Sequence, residues 1–381
     1  MPKLPTPSQS ESWSASLLRR DLSARAQHLA RTQHLLHDIH PGPKSENESI
    51  VIFGRDEQGR HGNFHPTSDT SICANPAWLR RLTKPHTASR RSRVRKDWQW
   101  MELDSANSSD ALLMNIFCHP GVFNGHTLAP AVANLLNVDL TARPCFGINP
   151  SVPLKTLRKG RKPKQASEAL TSNNPGAPCP ASGTWALEAP TEPSPTATDR
   201  SLTDRTEIDL QLDNLFLEAK LTESNFQTAA PRLIERYRDL ETVFDLTRLP
   251  RKLLSQPATH PLTEDGSPLD EPTPSASFRP KRSEVEKPAS LLWHPRTLIQ
   301  GYQLIRNVLA AFASDAGFCV LSDARRRDLI EIWYSVLSAV HSYTFATRLK
   351  LLTWQELSAT LPQDLQQFLE AKYGIVPTNS G

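Results

Sequence analysis

Residues 205–223 read RTEIDLQLDNLFLEAKLTE. Ile208, Leu210 and Leu212 alternate with Glu207, Asp209 and Gln211. Past Asp213-Asn214, the residues Leu215, Leu217, Ala219 and Leu221 alternate with Phe216, Glu218 and Lys220. An apolar residue at every second position marks a strand with one buried face, because successive side chains point to opposite sides. Asp and Asn tolerate positive φ, so the pair between the two runs suits a tight turn. The stretch predicts a β-hairpin.

Pairing the strands across that turn sets Leu212 opposite Leu215, Gln211 opposite Phe216 and Leu210 opposite Leu217. Asp209 then faces Glu218, and Glu207 faces Lys220. These four charged residues share one face, while Ile208, Leu210, Leu212, Leu215, Leu217, Ala219 and Leu221 form an apolar reverse face for a core. Directly opposed side chains have Cβ atoms about 4.5–5.5 Å apart, and like charges there repel. A divalent cation between Asp209 and Glu218 would relieve that repulsion. Carboxylate oxygens suit a hard ion such as Mg²⁺, with Mn²⁺ as a substitute. Lys220 can reach the same spot and act on a water or a phosphate oxygen. Metal and lysine together are chemistry for cutting phosphodiesters.

Asp209 followed by Glu218-Ala219-Lys220 resembles the motif of the PD-(D/E)XK nuclease superfamily, the restriction-endonuclease-like fold. Ile208 stands where the family's nominal proline would be. LFLEAKLTESNF (215–226), YQLIRNVLAAF (302–312) and FCVLSDARRRDLIEIWYSVL (318–337) are similar to a bacterial group of such proteins. The resemblance covers roughly 102–150 and 203–375, and does not obviously cover 1–97. It implies that Asp209 and Glu218 hold the metal, that Lys220 works on the nucleophile or the phosphate, and that DNA is the substrate. A protein of the same fold that binds nucleic acid without cutting it is the alternative. A charged hairpin face used only for docking a partner is another. A zinc-dependent hydrolase fails on ligand spacing.

The rest of the chain bounds these expectations. It has 381 residues, of which 32 are proline and only 38% are hydrophobic, so much of it is not expected to pack. The formal net charge is +4, mildly basic overall, and local basic clusters matter more for a polyanionic partner. The five cysteines are odd in number and form no C-x-x-C pair, which fits a reducing compartment. No apolar run approaches the roughly 18–20 residues of a membrane span, and MPKLPTPSQSES at the start lacks an apolar signal core. A cytoplasmic protein without membrane partners is expected. Cutting both strands of a duplex would suit a homodimer, but no feature of the sequence supports one.

Two regions are expected. Residues 1–97 read as an N-terminal amphipathic helix over 11–39 followed by a basic, largely irregular segment. The histidines His34, His37 and His40 read as its polar face. The segment 40–97 carries Arg80, Arg81 and Lys84, then Arg90, Arg91, Arg93, Arg95 and Lys96 ahead of Trp98 and Trp100. Basic residues beside aromatics suit a nucleic-acid backbone. Residues 98–381 read as the nuclease-like core, with disordered insertions at 153–203 and 254–290 where large apolar residues are scarce.

Within that core, Ser108-Ser109-Asp110 supplies N-caps for an apolar helix running to Phe117. Asn115 is the polar residue inside it. It reads either as a group lent to the site or as a hydrogen-bonded core amide, with Glu102 a second candidate. A helix begins or breaks near Pro231, and another spans 295–313 despite Gly301. That second helix carries Gln303, Arg306 and Asn307, of which Gln303 is a candidate for the site. GFCVL (317–321) and RLKLLTW (348–354) read as strands around a helix over 325–341. Thr353 and Glu356 form a capping-box pattern, and a last helix over 362–372 stops at Gly374. Strands separated by helices imply an α/β fold, a mixed central sheet flanked by helices.

Overall fold

The structure is a computed structural model that describes residues 12–41, 48–85, 101–155, 203–253 and 297–378. Arg90, Arg91, Arg93, Arg95, Lys96, Trp98 and Trp100 lie outside the described residues, as do most of 153–203 and all of 254–290.

The N-terminal third holds α1 (Ala15–Thr32), β1 (His37–Pro41), β2 (Ser49–Phe53), α2 (Pro66–Ala74) and α3 (Pro76–Leu79). The helix expected to reach residue 39 therefore ends at Thr32, and His37 and His40 lie on β1, which pairs antiparallel with β2. The segment expected to be largely irregular contributes to the core. Leu18, Leu22, Phe64, Ile72 and Trp78 are buried in one cluster with residues of the later elements. Buried apolar side chains recur here too far apart in sequence to set a clear period, which is why the pattern alone did not show them.

Next come α4 (Ser109–Phe117), α5 (Pro130–Leu136), β3 (Pro144–Ile148), β4 (Ser151–Pro153) and β5 (Thr203–Arg205). The hairpin follows as β6 (Ile208–Leu212) and β7 (Leu215–Ala219), and after it β8 (Thr228–Ala229), α6 (Pro231–Ile234), α7 (Leu240–Val243) and β9 (Arg251–Leu253). The last part is β10 (Thr297–Gln300), α8 (Tyr302–Ala313), β11 (Gly317–Ser322), α9 (Arg327–Leu337), α10 (Tyr343–Ala346), β12 (Leu349–Thr353), α11 (Trp354–Ser358) and α12 (Gln363–Tyr373).

The five-stranded central sheet has the order β12-β11-β7-β6-β3. β7, β11 and β12 run parallel, and β6 and β3 run antiparallel to their neighbours, so the sheet is mixed. The hairpin register is Leu210 to Leu217, Gln211 to Phe216 and Leu212 to Leu215. Asp213 takes φ 53° at the turn, the left-handed value an Asp tolerates. β3, with only five residues beside Pro144 and Gly147, had no legible period and was not expected.

Both faces of the sheet are covered. Leu210, Leu212, Leu217 and Ala219 pack with α4, α11 and α12. Phe216, Phe318 and Val320 pack with α8 and α9. Ile208, expected with the first set, joins the second. Strand twist turns the start of β6 away from α4. The charged end of the hairpin is thus the polar terminus of an otherwise apolar, helix-covered face.

Local choices follow side-chain chemistry. Ser108 caps α4 by accepting from the Ala111 N–H. Thr353 and Glu356 form the reciprocal capping box of α11, and Gly374 ends α12 in the left-handed conformation. Gly301 separates β10 from α8 with φ 73°, so the helix expected from 295 begins only at Tyr302. Both long insertions leave and return between paired strands. Ser151–Pro153 pairs with Thr203–Arg205, and Leu253 pairs with Thr297.

Candidate active site

One step beyond the Leu210–Leu217 pair, Asp209 and Glu218 stand on adjacent strands at the end of the hairpin. Asp209 Oδ2 accepts from the Ala219 N–H at 2.7 Å, which fixes its carboxylate toward β7. Lys220 follows on the same face, and its Nζ lies 2.8 Å from Glu218 Oε1. Its backbone is held on both sides. The Lys220 N–H donates to Leu321 O at 2.8 Å, and Trp354 Nε1 donates to Lys220 O at 3.0 Å. The parallel neighbour β11 and the buried indole thus place the ammonium.

Helix α8 completes the grip on Glu218. Gln303 Nε2 donates to Oε1 at 2.6 Å and Asn307 Nδ2 donates to Oε2 at 2.7 Å. The two lie one turn apart on α8, so both amides face the same carboxylate. The loop after β7 brings Glu223, whose oxygens accept from Ser109 Oγ at 2.9 Å and the Leu221 N–H at 2.7 Å. Asp110 enters from the first turn of α4. Ser109, Asp110, Asp209, Glu218, Lys220, Glu223 and Gln303 line a cleft of about 570 Å³.

The electrostatics are those of crowded carboxylates. Burial raises the Asp209 carboxyl well above its ordinary value, and Glu218 and Asp110 add to the rise. Burial also raises Glu218, although Lys220 pulls it partly back. Burial lowers Lys220, but Glu218, Glu223 and Asp209 overcome that and hold the ammonium above its usual range. The cleft gathers the carboxyls of Asp110, Asp209, Glu218 and Glu223 around Lys220, with Arg19 and Lys84 also on its lining. An all-oxygen donor set is what a hard divalent cation prefers, so Asp209 and Glu218, flanked by Asp110 and Glu223, could hold one.

Glu207 lies at the rim, apart from Lys220. Lys84 Nζ approaches it at 2.5 Å and Arg81 Nη1 at 3.3 Å, and together they outweigh burial and lower its carboxyl. Lys84 also sits 2.9 Å from Glu102, which burial nonetheless raises. Arg81 pairs with Asp110 as well. Gln303 is at the site as expected from its helix. Asn115 is not. Its Oδ1 accepts from the His65 N–H at 2.6 Å, and its amide nitrogen donates to Asn63 O and Ala111 O in the core. The polar groups that α4 presents to the cleft are Ser109 and Asp110, in its first turn. Asn115 lies more than a full turn further on and on the packed side.

Asp110 and Glu223 were not singled out by sequence. Asp110 reads as an N-terminal capping acid, and Glu223 as an ordinary acid after a strand. Only the close approach of Ser109 to Glu223 shows that the two segments meet.

A second group of metal-type donors, His65, His119 and Asp364, has its ligand atoms within 4.8 Å of one another. Its hydrogen bonding argues against a cation. His119 Nδ1 accepts from the Gly121 N–H at 3.1 Å, so the ring proton sits on Nε2, 3.4 Å from Asp364 Oδ2. That is a His–Asp contact tying α12 to the loop after α4.

The described core is a mixed α/β sheet flanked by helices, with two carboxylates and a lysine meeting at its central hairpin. The chain belongs to the family described as "Restriction Endonuclease associating with ARP", whose model matches residues 23–374. The match takes in most of the N-terminal third, which the resemblance of individual motifs did not cover. It marks the chain as a member of a restriction-endonuclease family, for which nucleic acid is the implied substrate. No curated protein and no solved structure matches the chain. Among the described residues, no helix is long and apolar enough to cross a membrane.

Proposed function

We propose that this protein is a divalent-metal-dependent nuclease of the PD-(D/E)XK type that hydrolyses phosphodiester bonds of DNA. The observation that carries the proposal is the convergence of Asp209, Glu218 and Lys220 in one cleft, on the hairpin that also anchors both cores. The family's restriction-endonuclease description supports the reaction class.

Asp209 and Glu218 are the residues that would hold Mg²⁺ or Mn²⁺. When bound, the ion supplies charge neutralisation at the scissile phosphate and a water of lowered pKa. Lys220 stays protonated, because the surrounding carboxylates favour the ammonium. A base must be free to take a proton near the working pH, so Lys220 is better suited to donate a hydrogen bond to a phosphate oxygen as negative charge develops. Gln303 and Asn307 keep the Glu218 carboxylate from rotating toward Lys220 alone. Lys84 and Arg81 neutralise Glu207 and Asp110 at the rim, which lowers the repulsion an incoming phosphodiester meets.

The test is cleavage of plasmid DNA with Mg²⁺ by wild type, Asp209→Asn and Lys220→Ala. Wild type should cut and both variants should lose about 10²–10⁴ in rate. Undiminished cutting by either variant rules the assignment out.

A further inference from the structure

Glu218 is surrounded by Asp209 on β6, Lys220 and Glu223 in the segment after β7, Asp110 on α4, and Gln303 and Asn307 on α8. Its two oxygens are treated differently. Oε1 takes Lys220 and Gln303, both of which line the cleft. Oε2 takes only Asn307, which is fully buried and does not line the cleft.

An amide can point either its oxygen or its nitrogen at a neighbour, and only the nitrogen donates. The neighbour that decides is Glu218, whose carboxylate oxygens only accept, so the NH₂ faces Oε2. That leaves Asn307 Oδ1 to accept from the buried Thr206, whose Oγ1 hydroxyl donates to it at 2.6 Å. Thr206 stands two residues before Ile208, at the entry of the hairpin, so the chain braces the amide from the same ribbon whose carboxylate it serves.

We propose that Asn307 is a positioning residue, braced by Thr206, that holds Glu218 with its Oε1 turned into the cleft for a divalent cation. The inference rests on the metal-site reading above and adds to it the source of the Glu218 geometry.

The experiment is Mn²⁺ titration of the full chain by calorimetry across pH 6–9, alongside plasmid cleavage. The variants are Asn307→Asp, Thr206→Val and Thr206→Ser, each checked for fold by circular dichroism. Asn307→Asp, equal in size, traps a proton against Glu218 that the ion must displace. Its Mn²⁺ affinity should climb with pH more steeply than wild type, by about a further tenfold per pH unit. Thr206→Val frees the amide and should weaken Mn²⁺ binding about two- to tenfold, the worth of one hydrogen bond. Thr206→Ser keeps the hydroxyl and should restore it. A purely structural role would lower thermal stability in all three without steepening the pH dependence.

Folded Asn307→Asp protein with the affinity and pH slope of wild type overturns the proposal while leaving the nuclease reading intact. Wild type that binds Mn²⁺ through Glu218 but never cuts DNA removes the nuclease reading and leaves the positioning role standing. Wild type that binds no Mn²⁺ removes both.

Discussion

Replacing Asp209 with Asn should make the metal-free protein more stable while abolishing its response to Mg²⁺. Asp209 lies opposite Glu218 and near Asp110, and its carboxyl is held well above its ordinary value near 3.8. An acid raised in this way binds more protons folded than unfolded. Stability is therefore lost as pH rises from about 3.8 through the raised value, where Asp209 ionises against Glu218. The repulsion can be sized. Two unit charges about 5 Å apart in an effective dielectric near 20 interact by about 3 kcal/mol. Lys220 beside Glu218 offsets part of this, leaving a gain of about 1–2 kcal/mol on neutralisation.

Asn keeps an acceptor for the Ala219 N–H, so the exchange removes charge with little loss of hydrogen bonding. The melting temperature of metal-free Asp209→Asn should rise by about 2–4 °C over wild type at pH 8, and the difference should vanish at pH 4. Wild type should gain about 1.4 kcal/mol from Mg²⁺ at ten times its dissociation constant, and the variant should gain nothing. The assay is thermal unfolding with and without Mg²⁺ at both pH values. A variant that melts below wild type at pH 8, or that still responds to Mg²⁺, refutes the reasoning.

Three other perturbations follow from the same geometry. Lys220→Met should abolish cleavage but leave Mg²⁺ affinity equal or tighter, since it removes a cation from the carboxylates; weaker calorimetric binding would show that the lysine builds the site instead. Arg81→Ala strands the buried Asp110, while Lys84 still pairs with the exposed Glu207, and should cost about 3–5 kcal/mol in denaturant unfolding, whereas a cost under ~1 kcal/mol would mean the Arg81–Asp110 pair behaves as an exposed bridge. Gly147→Ala should destabilise by about 1–3 kcal/mol, because Gly147 has φ +64° and a Cβ there would meet Arg81 Nη1 at 2.0 Å; unchanged stability would show that Arg81 moves aside freely.

Much of the site was legible before the fold was. Strict alternation around Asp213-Asn214 fixed the register, and register alone sets Asp209 against Glu218 with Lys220 on the same face. That reading needs only the two-residue period of a strand. The capping chemistry of Ser108, Thr353 and Gly374 was equally local. Gly301 shows the limit of local pattern. The apolar spacing ran on through it, but the left-handed turn splits the segment into strand and helix.

The residues around the hairpin were a different matter. Asp110, Thr206 and Glu223 are separated by up to 113 positions, from 110 to 223, and each looks ordinary in its own segment, whereas Asn307 shows only as one of three polar residues on its helix, beside Gln303 and Arg306. Likewise, nothing local distinguishes Asn115, committed to the backbone around Asn63, from an amide that serves a site. By itself the sequence determined the hairpin, its register and its three central side chains, because those depend on neighbours along one ribbon. The tertiary structure alone decided which distant acids crowd them, which amide clamps Glu218 and which strand closes the sheet at β3. Those contacts arise from helices packing on both faces of the sheet, and side chains brought together by packing leave no period in the chain.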